Sequence, residues 1–563
     1  MNYTKRDEGG FALVTVILST MVTMILATAV VAYAEGSQNI SRHDQDWNAS
    51  LSAAEAGIDD YLFRLNQNAN YWQYGPGNLP PDGNDAFVSF VPVSGGTTEA
   101  SYMYEADAST LGADGRIRIT STGRVRNGER TVHATLRRRS FLDYLYFTDY
   151  ETKDPASYSG TPFTPAQAQT NCAKYWYGGI NVQRDVNGRT DYTGDSDGSN
   201  SYCTEISFIT ADNINGPMHT NDAFLICGSP NFNGDTSTSW DGTGGTGQLY
   251  RSNSSCSGNT PDFANPGDPA EEPPLTMPPS NSVIRAETAA GFGGCLYTGP
   301  TRIRLQSNGT MDVKSPFTKV TNNSPCPTNG NGALPSNGVV YVQNVPSVTT
   351  DPNYTAGCPY NVNSRAHPLG FPIPSDLNTY VCRSGDVFLE GTLDGQLTIA
   401  SENNVVITWD TKYDDGVAGD DLLGLVANNY VEVYHPISCN NANDAACDLV
   451  AKVPAGSKFS GESDKTDQFE DADIYAAILS VNHSFWVQKF NVGKASNLKF
   501  LNVVGAISQR YRGPVGTTSG GTQYTGYSKD YTYDQRLQYL SPPKFLDPVS
   551  AAWTVATWAE LNN

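Results

Sequence analysis

Two acidic groups and a set of cysteines are the residues of this sequence with the chemistry to hold something. Asp185-Val186-Asn187-Gly188, followed by Asp191, Asp195 and Asp197-Gly198, sets hard carboxylate ligands a few residues apart, as calcium sites do. Asp410, Asp414, Asp415, Asp420 and Asp421 form a second group. Neither follows the twelve-residue EF-hand pattern, because no Glu closes the loop. Solvated acidic loops are therefore the plainer reading of both. Calcium at Asp185, Asp191, Asp195 and Asp197 is the one metal expectation, and no other cofactor is expected.

The six histidines, His43, His133, His219, His367, His435 and His483, are scattered and form neither His-x-x-x-His nor His-Glu-x-x-His. There is no phosphate-binding Gly-x-x-x-x-Gly-Lys-Ser/Thr loop. No catalytic residue is assigned. His219 and His483 read as structural residues of β-rich layers. The ten cysteines, Cys172, Cys203, Cys227, Cys256, Cys295, Cys326, Cys358, Cys382, Cys439 and Cys447, contain no Cys-x-x-Cys pair. An even count of this kind points to disulfides in an oxidising compartment. Cys439/Cys447 would close a short loop, and Cys172/Cys203, Cys227/Cys256 and Cys358/Cys382 are plausible pairs; spacing leaves the connectivity open.

The element that must carry all this is N-terminal. Residues 11–34 contain no charge, Pro or Gly, long enough at about 1.5 Å per residue to cross a hydrocarbon core of about 30 Å. Lys5 and Arg6 precede it, which orients the following body outward by the positive-inside rule. Beyond it, Ile40, Trp47, Leu51, Ala54, Ile58, Tyr61 and Leu65 recur at helical spacing, so residues 35–66 continue the helix with one face on a soluble body. A cleaved secretory signal, with Ala32-Tyr33-Ala34 as its site, is the competing reading. The rest of the 563 residues suits a loop-rich, secreted, β-dominated protein, and a net charge of −22 argues against broad nucleic-acid binding.

Gly9-Gly10-Phe11-Ala12-Leu13-Val14 resembles the prepilin leader and mature start of type IV pilins and pseudopilins. Ser52-Ala53-Ala54-Glu55-Ala56-Gly57-Ile58 resembles the element at the end of the first helix in minor pilins of the PilX type. The resemblance implies cleavage after Gly10 by a prepilin peptidase, methylation of Phe11, insertion in the cytoplasmic membrane before assembly, and packing with other pilin subunits through the N-terminal helix. Major pilins carry Glu at the fifth mature position, where this chain has Thr15. That departure leaves one charge pair unmade in a low-dielectric filament core, and implies a tip or initiating component.

Downstream, Arg116-Ile117-Arg118-Ile119-Thr120 alternates, Asn127-Gly128 marks a hairpin turn, and Thr131-Val132-His133-Ala134-Thr135-Leu136 returns. Later, one pattern repeats loosely. Leu397-Thr398-Ile399, Asn403-Asn404 and Val405-Val406-Ile407 are echoed by Leu423-Gly424-Leu425, Asn428-Asn429 and Val431-Glu432-Val433, then by Leu479-Ser480-Val481, Asn482 and Phe485-Trp486-Val487. Strand, Asn corner, strand is how a layer of a parallel β-solenoid reads; a β-sandwich is the alternative. Residues 228–281, rich in Gly, Ser, Asn and Pro, read as a surface loop. The stretches from Gly505 to Gly516 and Gly526 to Phe545 resemble terminal segments of pilin-like proteins carrying a large inserted solenoid.

The fold expected is an α+β pilin-like module, a long N-terminal helix plus antiparallel sheet, with a large, mostly β domain of irregular solenoid type. Its divisions are a leader at 1–10, membrane helix 11–34, amphipathic helix 35–66, β module 67–140, ectodomain 141–515 and a C-terminal return segment 516–563. The function expected is a non-enzymatic minor pilin of a single-pass membrane origin. It would prime assembly or display an adhesive surface whose ligand is a glycan, protein or DNA. Thirty-one Tyr against 21 Phe favours stacking surfaces of that kind. A membrane-anchored glycan hydrolase or lyase, or a DNA-uptake receptor, are the alternatives.

Overall fold

A single helix, Gly9–Gln67, opens the chain in the computed structural model. The structure describes residues 9–563 except 69, 96–98, 110, 112–114, 159–162, 173–203, 243–247, 254–255, 257, 358–368, 372–380, 436, 439–447, 450–452, 464–470, 493–499, 520–521, 550–551 and 562–563. The chain divides into two compact units, residues 1–139 with 552–563, and residues 140–551. The stretch 516–563 is thus shared: only its last residues rejoin the first unit.

In the first unit the described strands form an antiparallel sheet in the order Val91–Pro92, Ala100–Asp107, Arg116–Val125, Gly128–Arg138 and Trp553–Glu560. The strands alternate because one face packs on the helix: Ile117, Ile119, Val132, Ala134 and Leu136 point in, with Ala54, Ile58, Tyr61 and Leu65 opposite. The apolar stripe of the helix is therefore core over its distal half. Trp47 is 42% exposed and lies under the Arg130 guanidinium, 5.0 Å from its ring centre. The hairpin turn sits one residue earlier than the Asn-Gly signal suggests. Val125 pairs with Gly128, and Arg126 takes the left-handed conformation at φ 52°. Gly128 belongs to the strand because a Cβ there would press on the helix at Ser50 and Asp46.

The second unit is built on parallel ladders. One runs through Cys295–Thr298, Val339–Gln343, Gln396–Ser401, Leu422–Ala427, Ala472–Ser480, Phe500–Arg512, Tyr146–Lys153, Met218–Thr220, Thr236–Thr238 and Ala270–Glu271. A second runs through Thr301–Gln306, Val387–Leu393, Val405–Tyr413, Val431–Val433 and Phe485–Val487. A third continues from Phe500–Arg512 through Ser528–Tyr533, Asn213–Asn215, Asn231–Phe232 and Asp262–Phe263. Strands such as Leu422–Ala427 are buried along their whole length, which is why they read as continuous apolar runs. The three Asn-cornered repeats are successive layers: Leu397 pairs with Leu423, Leu425 with Ile478, and Val405 with Val431, which pairs with Phe485. Asn429 donates to Asn403 Oδ1 at 2.6 Å across one corner.

Two features depart from a regular parallel coil. Thr301–Gln306, Thr310–Lys314 and Asn329–Ala333 pair antiparallel, so the sheet is mixed. Strand order also breaks from chain order, because Tyr146–Lys153 enters beside Phe500–Arg512. As a result Ala270–Glu271 and Cys295–Thr298, neighbours in sequence, stand at opposite ends of the first ladder. At about 4.8 Å per step these ends are roughly 43 Å apart. Residues 272–294 run back over the ladder as a strap. Leu275 donates to Asn221 Oδ1, and Asn281 donates to the carbonyls of Ser401 and Val426. The Gly- and Pro-rich stretch 228–281 is not simply a surface loop, since it supplies four short strands to these ladders and a fifth, Tyr250–Ser252, that pairs with Phe224–Cys227.

Candidate functional site

The Ala-Ala-Glu-Ala-Gly element marks where helix and sheet approach most closely. Ala53 and Ala54 are buried. A Cβ at Gly57 would lie 2.2 Å from Ser121 Oγ and 3.0 Å from the Tyr102 ring; one at Gly123 would lie 2.2 Å from the Ala54 amide nitrogen. Small residues on both sides are thus a packing requirement. One turn on, Asp60 organises the end of the helix. Arg64 Nε binds its Oδ2 at 2.9 Å, Tyr104 donates to the same oxygen at 3.0 Å, and Asn84 donates to both Tyr104 and the Tyr71 hydroxyl. Burial pushes the Tyr61 and Tyr104 phenols well above the usual tyrosine range. Beside this network opens a cleft of about 660 Å³ lined by Asp59, Asp82, Asp85 and the exposed Phe63.

Toward the N-terminus the helix carries Ala12–Ala34, with mean hydropathy 2.3 and no residue buried. Its serine and threonine hydroxyls return to the helix backbone. Thr15 donates to the Ala12 carbonyl at 3.0 Å, Ser19 to Val16, Thr20 to Val16 and Ile17, Thr23 to Ser19 and Thr20, and Thr28 to Met24 and Ile25. These five donors need no water, as an apolar environment demands, and Tyr33, 80% exposed, stands at the end of the span. Gly10 and Phe11 belong to the helix, while their side-chain surroundings and residues 1–8 lie outside the described residues.

The other sequence-predicted residues separate. Asp185, Asp191, Asp195 and Asp197 lie outside the described residues, as do Cys203, Cys358, Cys439 and Cys447. Cys227 pairs with Cys256, as the spacing suggested, and Cys295 pairs with Cys326. Cys172 and Cys382 are disulfide-bonded as well. Two members of the second acidic group are spent internally, while Asp414, Asp415 and Asp420 are exposed. Asp421 accepts from the Gly395 and Asp415 amides, and Asp410 sits 3.2 Å from Lys412 and accepts from the Asp473 amide. Among the described residues no cluster of His, Cys, Asp and Glu could hold a metal. His219 is a buried ladder residue hydrogen-bonded to Ser237 Oγ at 2.9 Å, and His483 lies 2.8 Å from Asp154 and stacks on Tyr430.

Three buried charge clusters escaped the sequence reading. Arg302 binds Glu390 and Glu462, each at 2.7 Å, and lies over the Phe459 ring. Arg512 binds Glu151 at 2.9 Å over Phe208. Lys529 meets both oxygens of Asp212, at 2.7 and 2.8 Å. The available signal was a cation inside an otherwise apolar strand, as in Thr301-Arg302-Ile303. The acidic partners come from far along the chain.

No protein-family model matches this sequence, and no curated protein matches it. A solved structure, that of the competence-associated pilin ComZ from Thermus thermophilus, aligns over 92% of this chain and 97% of its own, at 14% sequence identity and a TM-score of 0.24. Agreement at that level carries no argument about this chain, which stands on its own geometry.

Proposed function

We propose that this chain is a type IV pilin-like minor component of the PilX type. The observation that carries the reading is one helix with two environments: wholly exposed and apolar over Ala12–Ala34, then buried by an antiparallel sheet that the C-terminal strand Trp553–Glu560 completes. The large unit, an irregular parallel β-solenoid in this reading, is inserted between two strands of the small one and is what the filament displays. Thr15, spent on its own helix backbone, supports a tip or initiating position. The role needs no catalytic step: assembly priming and surface recognition are its content.

The test is the N-terminus of the mature protein in a host with a working prepilin peptidase. The expected product begins at N-methylated Phe11 and extracts with membranes or sheared filaments. Recovery of residues 1–10 on the membrane-extracted protein would sink the proposal. Gold labelling of filaments then separates tip from shaft.

A further inference from the structure

The Lys529–Asp212 pair lies where the large unit joins residues 317 apart in sequence. In the third ladder Asp530 pairs with Asn213, which sets Lys529 directly across from Asp212. Both side chains are withdrawn from solvent, at 11% and 2% exposure. Lys529 Nζ stands 2.8 Å from Oδ1 and 2.7 Å from Oδ2. The Phe208 ring lies 5.8 Å from Nζ, and the Arg512 guanidinium covers the same ring at 3.5 Å. Burial, with the Arg512 cation beside it, holds the Lys529 ammonium below the usual lysine range although Asp212 opposes this. A lysine so placed has access to its neutral, nucleophilic form.

We propose that Lys529 and Asp212 condense into an intramolecular amide that cross-links the two strands. The ion pair holds the proton inventory the reaction needs. Transfer of one proton from the ammonium to the carboxylate gives an amine and a carboxylic acid. After the carboxyl turns its face to Nζ, the nitrogen lone pair attacks Cγ. The new C–N bond forms, the C–OH bond breaks, and the hydroxyl leaves as water with a proton from nitrogen. Nothing is oxidised or reduced, and no co-reactant is required. The driving force is removal of two charges from a low-dielectric site, where an ion pair is costly to keep. Lys529 also lines a cleft of about 540 Å³, which gives the water a way out. Lys412 and Asp473 make a contrast: they are 39% and 28% exposed, and the lysine is shifted upward rather than downward. That pair stays ionic.

The bond would tie Ser528–Tyr533 to Asn213–Asn215, a junction that strand pairing and the hydrogen bond from Asn215 Nδ2 to Asp530 Oδ1 also hold. The test is peptide mapping of the reduced, denatured full chain by trypsin and mass spectrometry, which reads the junction whatever the processing of the N-terminus. Expected is a branched peptide joining the Asp212 and Lys529 segments, lighter than their sum by one water and uncleaved after Lys529. Lys529→Arg should release the linear Asp212 peptide, and the Lys412 and Asp473 peptides should be linear throughout. Cleavage after Lys529 with both peptides linear at full yield in the native protein overturns the proposal, and it does so without relying on any variant to fold.

Discussion

The Asn66 carboxamide completes the backbone of Trp553: Nδ2 donates to the Trp553 carbonyl at 3.2 Å, and Oδ1 accepts from the Trp553 amide at 2.6 Å. The end of the first helix is thereby fastened to the first residue of the returning strand. Beyond this clamp the strand is exposed on its outer edge, with Trp558 46% accessible. Asn66→Ala strips two backbone groups of their partner and is expected to cost roughly 1–3 kcal/mol. Hydrogen exchange on the detergent-solubilised chain reads this locally. Protection should fall across Trp553–Glu560 while Arg116–Val125 is unchanged, and equal protection in the variant would refute the clamp.

Gly123 tests the close approach of helix and sheet. Gly123→Val places atoms inside contact distance of the Ala54 amide and the Ser50 carbonyl, both backbone and unable to rotate away. Overpacking of this kind costs about 1–3 kcal/mol or more. Gly75→Val is the control, because nothing lies within 4 Å of a Cβ there, and it should change stability by less than about 0.5 kcal/mol. Similar denaturation midpoints for the two variants would remove the packing explanation of the Ala-Ala-Glu-Ala-Gly element.

Local periodicity made the helix, the Arg116–Val125 hairpin and the Asn-cornered layers readable, since each element carries its pattern in its own neighbouring residues. The Cys227–Cys256 pair was readable for the same reason. What the sequence could not show is set by long-range pairing. Nothing near Tyr146 announces that it lies beside Ile507, and nothing in the Gly-rich stretch around Phe232 announces a layer, because two-residue strands carry no period. The buried cations were opaque on the same ground: Arg302 is visible, but Glu462 reaches it from 160 residues away. Asn127-Gly128 misplaced the turn because tertiary contact with Ser50 outranks turn preference.

Arg302 and its two carboxylates should behave as a unit. Arg302 and Glu390 are 0% exposed at their side chains and Glu462 2%. Arg302→Met takes the cation from buried Glu390 and leaves Glu462 only the more distant Arg304, at 3.7 Å, expected to cost about 3–5 kcal/mol. The triple variant Arg302→Met, Glu390→Leu, Glu462→Leu removes the charges together and should recover much of that loss. Urea midpoints of single and triple variants decide it. A triple variant as unstable as the single would mean that the cluster acts through shape rather than charge.

Stability should fall in two separable steps as pH is lowered. His435 is buried with Nδ1 3.0 Å from the Gln488 carbonyl. Burial, aided by the Lys489 cation, lowers its pKa to about 4, against the Gln488 hydrogen bond. The unfolded chain takes up a proton near pH 6.5 and the folded one does not. His435 therefore contributes fully above about pH 6.5, and its contribution drains between there and about 4, with a slope of at most about 1.4 kcal/mol per pH unit. Glu462 acts lower down. Burial alone would raise its pKa, but hydrogen bonds from Arg302 and the Phe459 amide outweigh burial and hold it at about 2. Its contribution is present above the unfolded value near 4.3 and is lost as pH falls through about 2. His435→Gln should flatten the melting temperature between about pH 6.5 and 4 and leave the acid limb, whereas Glu462→Gln should do the reverse. Two variants with the wild-type pH profile would show that neither group is linked to folding.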